Sequence, residues 1–262
     1  MWNDLRALFA RLPPGTVLGY ESAAAVYGFA PAERLTPVHV IVPAGTVRPR
    51  IRGVVVHEAV LPVDPPFAMA GVPFAPAARC AIDLARGADG PGGLAILDAA
   101  LRVGACDRDD LATEVGLHAR LRGVYGVRAL VNLADGGAQC AEESHLRFII
   151  RGGGLPAPET QLWVDDGTGY RGYGIDLAYR ERKLGLEYDG EPASIRERLD
   201  ERSRRRWLRS RGWTIRSFTA ADMTVRPELI VAEVRALLAD PPPHAKSILQ
   251  FQPDLLHRYA PD

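Results

Sequence analysis

The sequence predicts an α/β protein of two domains, an α+β N-terminal domain followed by an αβββαβ core. The order of elements after residue 138 is the first observation behind this class: a helix, three strands, a helix, a strand and a helix. The second is the short, polar, glycine-rich segment Ala134-Asp135-Gly136-Gly137, which is typical of a domain boundary. We therefore place the domains at 1–137 and 138–240, followed by a flexible tail at 241–262.

The N-terminal domain is predicted to be mixed at first and mostly helical from residue 76. Apolar residues at helical spacing predict a helix over 2–12, which Pro13-Pro14-Gly15 ends, and an alanine-rich stretch predicts another over 21–27. Apolar runs between turns that contain proline and glycine predict strands at 38–42 and 54–60. Four helices bounded by glycine or proline follow, at 77–86, 92–102, 108–119 and 124–134.

The second domain is predicted to begin with a helix over 140–151, which ends at three successive glycines. The elements that follow are, in order, strands at 160–165, 173–179 and 184–189, an arginine-rich helix at 195–211, a strand at 213–218 and a helix at 227–239.

The charge of the chain is balanced overall but divided locally. There are 32 basic and 32 acidic side chains, which argues against a protein that binds nucleic acid through bulk charge. Lysine occurs only at Lys183 and Lys246, so the other 30 basic residues are arginines. Residues 196–216 contain nine arginines against three acidic residues, although 139–240 as a whole contains 17 of each sign. Any contact with nucleic acid is therefore expected from this local patch.

The sequence also predicts the compartment. No apolar run approaches the roughly 20 residues of a membrane-spanning helix, and the N-terminus lacks the basic and apolar regions of a signal peptide. The three cysteines, Cys80, Cys106 and Cys140, have no metal-like spacing and suit a reducing compartment. We expect a cytoplasmic protein with no membrane partner.

Two predicted strands bring acidic side chains together. A hairpin turn of two or four residues between 173–179 and 184–189 places Asp176 opposite Glu187, whereas a turn of odd length would separate them. Carboxylates with β-carbons about 5 Å apart repel each other, and Mg²⁺ or Mn²⁺ bound by their oxygens would compensate. Asp189 shares the strand face of Glu187. The same side chains could instead face solvent or pair with nearby arginines, and these alternatives remain open.

The predicted helix over 195–211 carries a stripe of arginines on one face. Guanidinium groups suit phosphate geometry, and such contacts position a nucleic-acid backbone without reading its sequence. The alternative is an ordinary solvated helix face. On the first interpretation the partner is DNA, and the residues that bind it are Arg198, Arg202, Arg205 and Arg209.

Several spaced motifs across 139–223 carry a resemblance to a known family. They are Glu143-Ser144-x-Leu146-Arg147, Gly154-Leu155-Pro156-x-Pro158, Asp176-Leu177-Ala178-Tyr179 and Glu187-Tyr188-Asp189-Gly190, followed by Gly212-Trp213. The segment resembles the actinobacterial Vsr-like, restriction-endonuclease-fold family of unknown function within the PD-(D/E)xK nuclease superfamily. The resemblance implies a restriction-endonuclease-like αβββαβ core and a metal-dependent endodeoxyribonuclease. In that core Asp176, Glu187 and the Tyr188 carbonyl would hold Mg²⁺ or Mn²⁺. Glu143 and Asp189 would assist catalysis.

The chain departs from this family's pattern. The E-x-K motif requires a lysine where this chain has Asp189, and Lys183 is about 13 Å from Glu187 along the strand. The histidine that related sequences tend to carry is missing from 191–194. An arginine cannot replace the lysine as a general base. The leading interpretation of the sequence is the metal-dependent endonuclease. These departures support its alternative, a catalytically inactive nuclease-fold DNA-binding regulator or antitoxin-like protein.

Residues 16–135 carry a second resemblance, to a region associated with AbiEi-type antitoxins. Its motifs are Ser22-Ala23-Ala24-x-x-Tyr27-Gly28, Arg52-Gly53-Val54-x-Val56-His57 and Ala81-Ile82-Asp83-Leu84-Ala85. This resemblance implies a partner in a toxin–antitoxin or defence pair. His57 and Cys80 have no partner at a recognisable spacing, so we expect both to be packing or surface residues.

Overall fold

The computed structural model describes residues 2–59, 61–63, 68–169, 172–190 and 194–239. The chain divides into two compact units, Met1–Phe148 and Ile149–Asp262, and the division lies inside a helix rather than in the glycine-rich segment. Both units contain helices and strands, which confirms the α/β class. The predicted tail at 241–262 lies outside the described residues.

The first unit contains the predicted helices and both longer strands, together with several short elements that the sequence did not predict. The unpredicted ones are strands of two residues and a short 3-10 helix, which are too brief to show a periodic pattern. The elements are α1 (Trp2–Phe9), β1 (Val17–Leu18), α2 (Tyr20–Tyr27), the 3-10 helix Ala32–Leu35, β2 (Val38–Val42), β3 (Val54–Glu58), β4 (Ala68–Met69), β5 (Val72–Pro73), α3 (Ala77–Gly87), α4 (Gly90–Arg102), α5 (Arg108–Leu117), α6 (Val124–Leu133) and the start of α7 (Ala141–Gly152).

A three-stranded sheet in this unit has the order β1-β2-β3, in which β2 is antiparallel to β1 and parallel to β3. The register pairs His39 with Val55 and Ile41 with His57. Because side chains alternate between faces along a strand, His39 and His57 lie diagonally across the same face. Two histidines that are distant in the sequence are therefore neighbours.

A fully buried carboxylate organises the helical part of the first unit. Asp98, on α4, accepts hydrogen bonds from the Ser144 hydroxyl at 2.6 Å and the Asp135 backbone N–H at 2.7 Å. Its ion-pair partner is the guanidinium of Arg147, on α7, which also donates to the Leu133 carbonyl. The segment predicted as a boundary is thus hydrogen-bonded to the first unit.

The elements of the second unit are β6 (Glu159–Asp165), β7 (Gly172–Tyr179), the 3-10 turn Arg180–Arg182, β8 (Leu184–Tyr188), α8 (Ile195–Ser210), β9 (Thr214–Phe218), α9 (Ala220–Val225) and α10 (Pro227–Ala239). The sequence did not predict the short helix α9. The strands form a four-stranded sheet of order β6-β7-β8-β9. Strand β7 is antiparallel to both β6 and β8, whereas β9 is parallel to β8, so the chain needs the crossover that α8 supplies.

Helix α8 packs on this sheet through apolar side chains. Leu208 is fully buried in a cluster with Ile175 and Ile215. At Gly185 a β-carbon would lie 2.7 Å from Ile215 Cδ1 and 2.8 Å from Ile175 Cγ2. Glycine at this position therefore leaves room for the Ile175 and Ile215 side chains, which form the apolar cluster that Leu208 joins.

We expect Asp98→Ala to destabilise the protein by about 3–5 kcal/mol, because the change leaves Arg147 buried without its carboxylate partner. Urea unfolding followed by circular dichroism measures the effect. The matched control is Asp109→Ala, an exposed carboxylate on α5, which we expect to cost no more than about 1 kcal/mol. Equal midpoints for the two variants would contradict the organising role of Asp98.

Candidate functional site

The hairpin formed by β7 and β8 has one of the two predicted registers. Leu177 pairs with Leu186 and Tyr179 with Leu184, and the connection is a four-residue turn, 180–183. The next pair in this register would be Asp176 and Glu187. At this point an Asp176 carboxylate oxygen accepts a hydrogen bond from the Tyr188 backbone N–H at 3.2 Å. Strand geometry therefore places the two acidic residues together, as the sequence predicted.

Glu187 is buried and its carboxylate is bound by the guanidinium of Arg204, on α8. One guanidinium nitrogen, Nη2, contacts Glu187 Oε1, and the other, Nη1, lies 3.1 Å from Oε2. The same guanidinium donates to the Gly174 carbonyl at 2.6 Å and to Glu201 Oε1 at 3.0 Å. A cation from the protein itself thus balances the charge of Glu187.

The pKa of Arg204 reflects this surrounding. Burial lowers the pKa of the guanidinium, but its hydrogen bonds to Glu187 and the charges of Glu187, Glu201 and Asp176 outweigh that effect and raise it. Arg204 is therefore a permanent cation at the centre of three carboxylates.

Asp189 and Arg205 belong to a second set of ion pairs at the edge of the site. Arg205 Nη2 lies 3.8 Å from an Asp189 oxygen, and Arg205 Nε donates to Glu201 Oε1 at 2.5 Å. Arg205 was predicted to contact phosphate, and in the structure its charge is already shared with two carboxylates.

The remaining arginines of the predicted stripe lie on the outer side of α8. Arg198, Arg202 and Arg209 are exposed, and Arg206 is exposed beside them. Residues at these spacings occupy one face of a helix. The result is a basic surface, which we call the arginine face and define as Arg198, Arg202, Arg206 and Arg209.

Glu143 lies in the first unit, on α7. It is buried, and its Oε2 accepts a hydrogen bond from the Gln139 backbone N–H at 2.8 Å. The Cys140 thiol donates to its other oxygen at 3.5 Å, and burial raises the pKa of that thiol to about 12. These contacts satisfy donors at the start of α7, and the catalytic role of Glu143 stays a prediction.

The carboxylates do not fit a Mg²⁺ or Mn²⁺ site in this arrangement. Throughout the part of the chain that the structure describes, no group of three or more His, Cys, Asp or Glu side chains is placed to hold a metal ion. Both oxygens of Glu187 face a guanidinium, whereas a hard divalent cation needs those oxygens as ligands. The ammonium of Lys183 donates to the Arg211 carbonyl at 2.9 Å.

Arg204 was not singled out in the sequence, although a signal existed. It lies four residues before Leu208, and residues at that spacing share a helix face. Since Leu208 is buried, an arginine on its face indicates a buried charge with a partner. The sequence interpretation considered only the arginines of the outer stripe.

Comparisons with known proteins place the chain in a family. Residues 16–133 match the AbiEi antitoxin C-terminal domain family. Two uncharacterized proteins of Mycobacterium tuberculosis, from strains CDC 1551 / Oshkosh and ATCC 25618 / H37Rv, are each 33% identical over 215 residues, which is 81% of this chain and 78% of theirs. The chain belongs to the same family as these mycobacterial proteins. No solved structure matches it significantly.

These comparisons confirm the AbiEi resemblance of the N-terminal region. The Vsr-like resemblance of 139–223 stays a prediction, as do the metal and the catalytic residues. None of the helices within the described ranges is long and apolar enough to cross a membrane.

We expect Arg204→Ala to lower the free energy of unfolding by about 3–5 kcal/mol, because Glu187 would remain buried without its partner. Urea unfolding measures the change. Arg206→Ala, on the exposed side of the same helix, is the control and should lie within about 0.5 kcal/mol of wild type. If the two variants unfold at the same urea concentration, the ion pair does not have the role assigned to it.

Proposed function

We propose that the chain is a non-catalytic, antitoxin-like regulator that binds DNA through the arginine face of a restriction-endonuclease-like second unit. The observation that carries the proposal is the pairing of Glu187 with Arg204. It occurs in a chain whose residues 16–133 are similar to an antitoxin domain. The order α7-β6-β7-β8-α8-β9, with β9 parallel to β8, supports the nuclease-like scaffold.

The ion pair supports a regulator over an enzyme for an energetic reason. A metal at Asp176 and Glu187 would have to displace a buried guanidinium that makes five hydrogen-bond contacts to Glu187, Gly174 and Glu201. Breaking a buried ion pair by removing one partner costs about 3–5 kcal/mol. Arginine also cannot accept a proton from water. The arrangement therefore favours a structural use of the acidic residues.

The arginine face supports DNA as the partner. Its side chains extend from a helix that is held on the sheet by Leu208 and Arg204, so their positions along the helix are fixed. Arginine contacts to phosphate give affinity without sequence readout. Binding through this face is accordingly expected to be strongly dependent on salt.

The DNA contact is tested with a fluorescently labelled duplex titrated at several salt concentrations. We expect Arg202→Ala and Arg209→Ala each to reduce the slope of log K against log salt by about 0.9, the value for one lost phosphate contact. Arg180→Ala is the control. Arg180 lies in the β7–β8 turn and is exposed, but its guanidinium pairs with Glu159, on β6, at 2.7 Å and lies outside the arginine face. Slopes that are the same in all four proteins would exclude the arginine face.

The absence of catalysis is tested with supercoiled plasmid and Mg²⁺ or Mn²⁺. We expect any nicking to be equal in the wild type, Asp176→Ala and Glu187→Gln. The glutamine keeps the size of the buried side chain, so the comparison concerns charge more than packing. Nicking by the wild type that both variants lose would establish the metal-dependent endonuclease instead.

A further inference from the structure

The first unit contains a cavity of about 460 Å³. The apolar part of its lining, which we call the apolar side, includes Phe29, Pro31 and Ile96. The polar part, which we call the polar side, includes Tyr20, Glu21, His57 and Asp83. A concave, mostly apolar space of a few hundred Å³ with a few converging polar groups is typical of small-molecule sites.

The polar side is an ordered arrangement. His39 Nδ1 lies 2.9 Å from Glu21 Oε2 and 3.1 Å from His57 Nε2. The Tyr20 ring stacks on the His57 ring with 3.7 Å between centroids and 15° between planes. Tyr20 has a φ of 49°, a left-handed conformation that is uncommon for a residue with a bulky side chain. Strain of this kind clusters at ligand-binding and active sites.

The two carboxylates of the cavity differ in how their charges are balanced. Asp83 is bound by Arg79 Nε at 2.5 Å and Arg86 Nη1 at 2.9 Å. Glu21 lies beside the imidazole of His39 rather than beside a guanidinium group. His39 Nδ1 carries at most one hydrogen, and both Glu21 and His57 lie within reach of it.

The consequence is an unsatisfied acceptor in the cavity. Among the described residues, Glu21 Oε2 is buried and receives no well-aligned hydrogen bond. The pKa of His57 is lowered, mainly because its ring is buried and to a smaller extent because His39 lies beside it. His57 is therefore neutral at pH 7. Burying a carboxylate without a positive partner is unfavourable. Glu21 therefore has no permanent positive partner in the cavity, because its neighbour His39 is charged only when protonated.

We propose that the cavity binds a small organic cation of the aromatic amidine or amine class. Its N–H groups would donate to the Glu21 carboxylate, and its ring would pack against the apolar side. This site lies in the first unit and does not rest on DNA binding by the second.

A proton competes with such a ligand. Protonation of His57 would add a positive charge beside Glu21 and would repel a bound cation. The groups that face His57 electrostatically are His39, Glu21, Asp83 and Arg48, and Tyr20 covers its ring. Because the pKa of His57 lies below its ordinary value, the ligand is expected to bind fully at pH 7.5 and to weaken as the pH falls toward 5.

The experiment uses the full chain and isothermal titration with benzamidine as the probe. Benzamide, which has the same shape without the charge, is the matched ligand. We expect benzamidine to bind about tenfold or more tightly than benzamide at pH 7.5, the difference of one charge-assisted hydrogen bond. Glu21→Gln should bring the ratio close to one. Glu33→Gln, an exposed glutamate on the 3-10 helix, should leave it unchanged.

A second variant tests the location without altering the polar side. Ala88 lines the cavity and is exposed, so Ala88→Phe should fill its mouth and weaken benzamidine about tenfold with an unchanged unfolding midpoint. Equal affinities for benzamidine and benzamide, or no binding of either at about 10 mM, would overturn the proposal. So would an unaltered ratio in Glu21→Gln.

Discussion

The buried ion pair between Glu187 and Arg204 is the interaction on which the second unit depends. Taking two charges out of water costs several kcal/mol per ion, and only close geometry and further hydrogen bonds recover it. Arg204 meets that requirement through the Gly174 carbonyl and Glu201. A strand of the sheet and the crossover helix are thus tied at one point, and the rotation of α8 about its axis is set.

The orientation of the other arginines follows from this constraint. With Arg204 and Leu208 directed at the sheet, Arg198, Arg202 and Arg209 must lie on the solvent side. The arginines of α8 therefore fall into two groups with different surroundings. Arg204 is neutralised inside the protein, whereas the arginine face is available to an external anion. Arginine therefore has two uses in α8: Arg204 holds the helix on the sheet, and the arginine face is proposed to bind DNA.

Much of this unit follows from the sequence because its signals are local. The period of two along each strand is enough to bring Asp176 opposite Glu187 if the turn has an even number of residues. The structure supplies that condition with the four-residue turn 180–183. The sequence also indicates that Glu187 needs a compensating cation. It does not determine whether a metal or an arginine supplies it, because that depends on how far a side chain of α8 reaches across the sheet.

The histidine pair of the first unit shows the opposite case. His39 and His57 meet only because β2 and β3 are parallel and in one particular register. The loop between these strands carries no pattern that specifies this register. Strands β1, β4 and β5 were missed because two residues are too few to alternate. The register between strands distant in the sequence and the two-residue strands are therefore the features that could not be predicted from the sequence.

Asp98 has a practical consequence for how the chain can be divided into fragments. Two of its partners, Ser144 and Arg147, come from the first turns of α7. The glycine-rich segment suggests residue 137 as the end of an N-terminal fragment. Such a fragment would keep the buried Asp98 carboxylate but would lack Ser144 and Arg147. The first stretch of α7 belongs to the folding unit that precedes it, so a self-sufficient N-terminal fragment has to extend at least to Phe148.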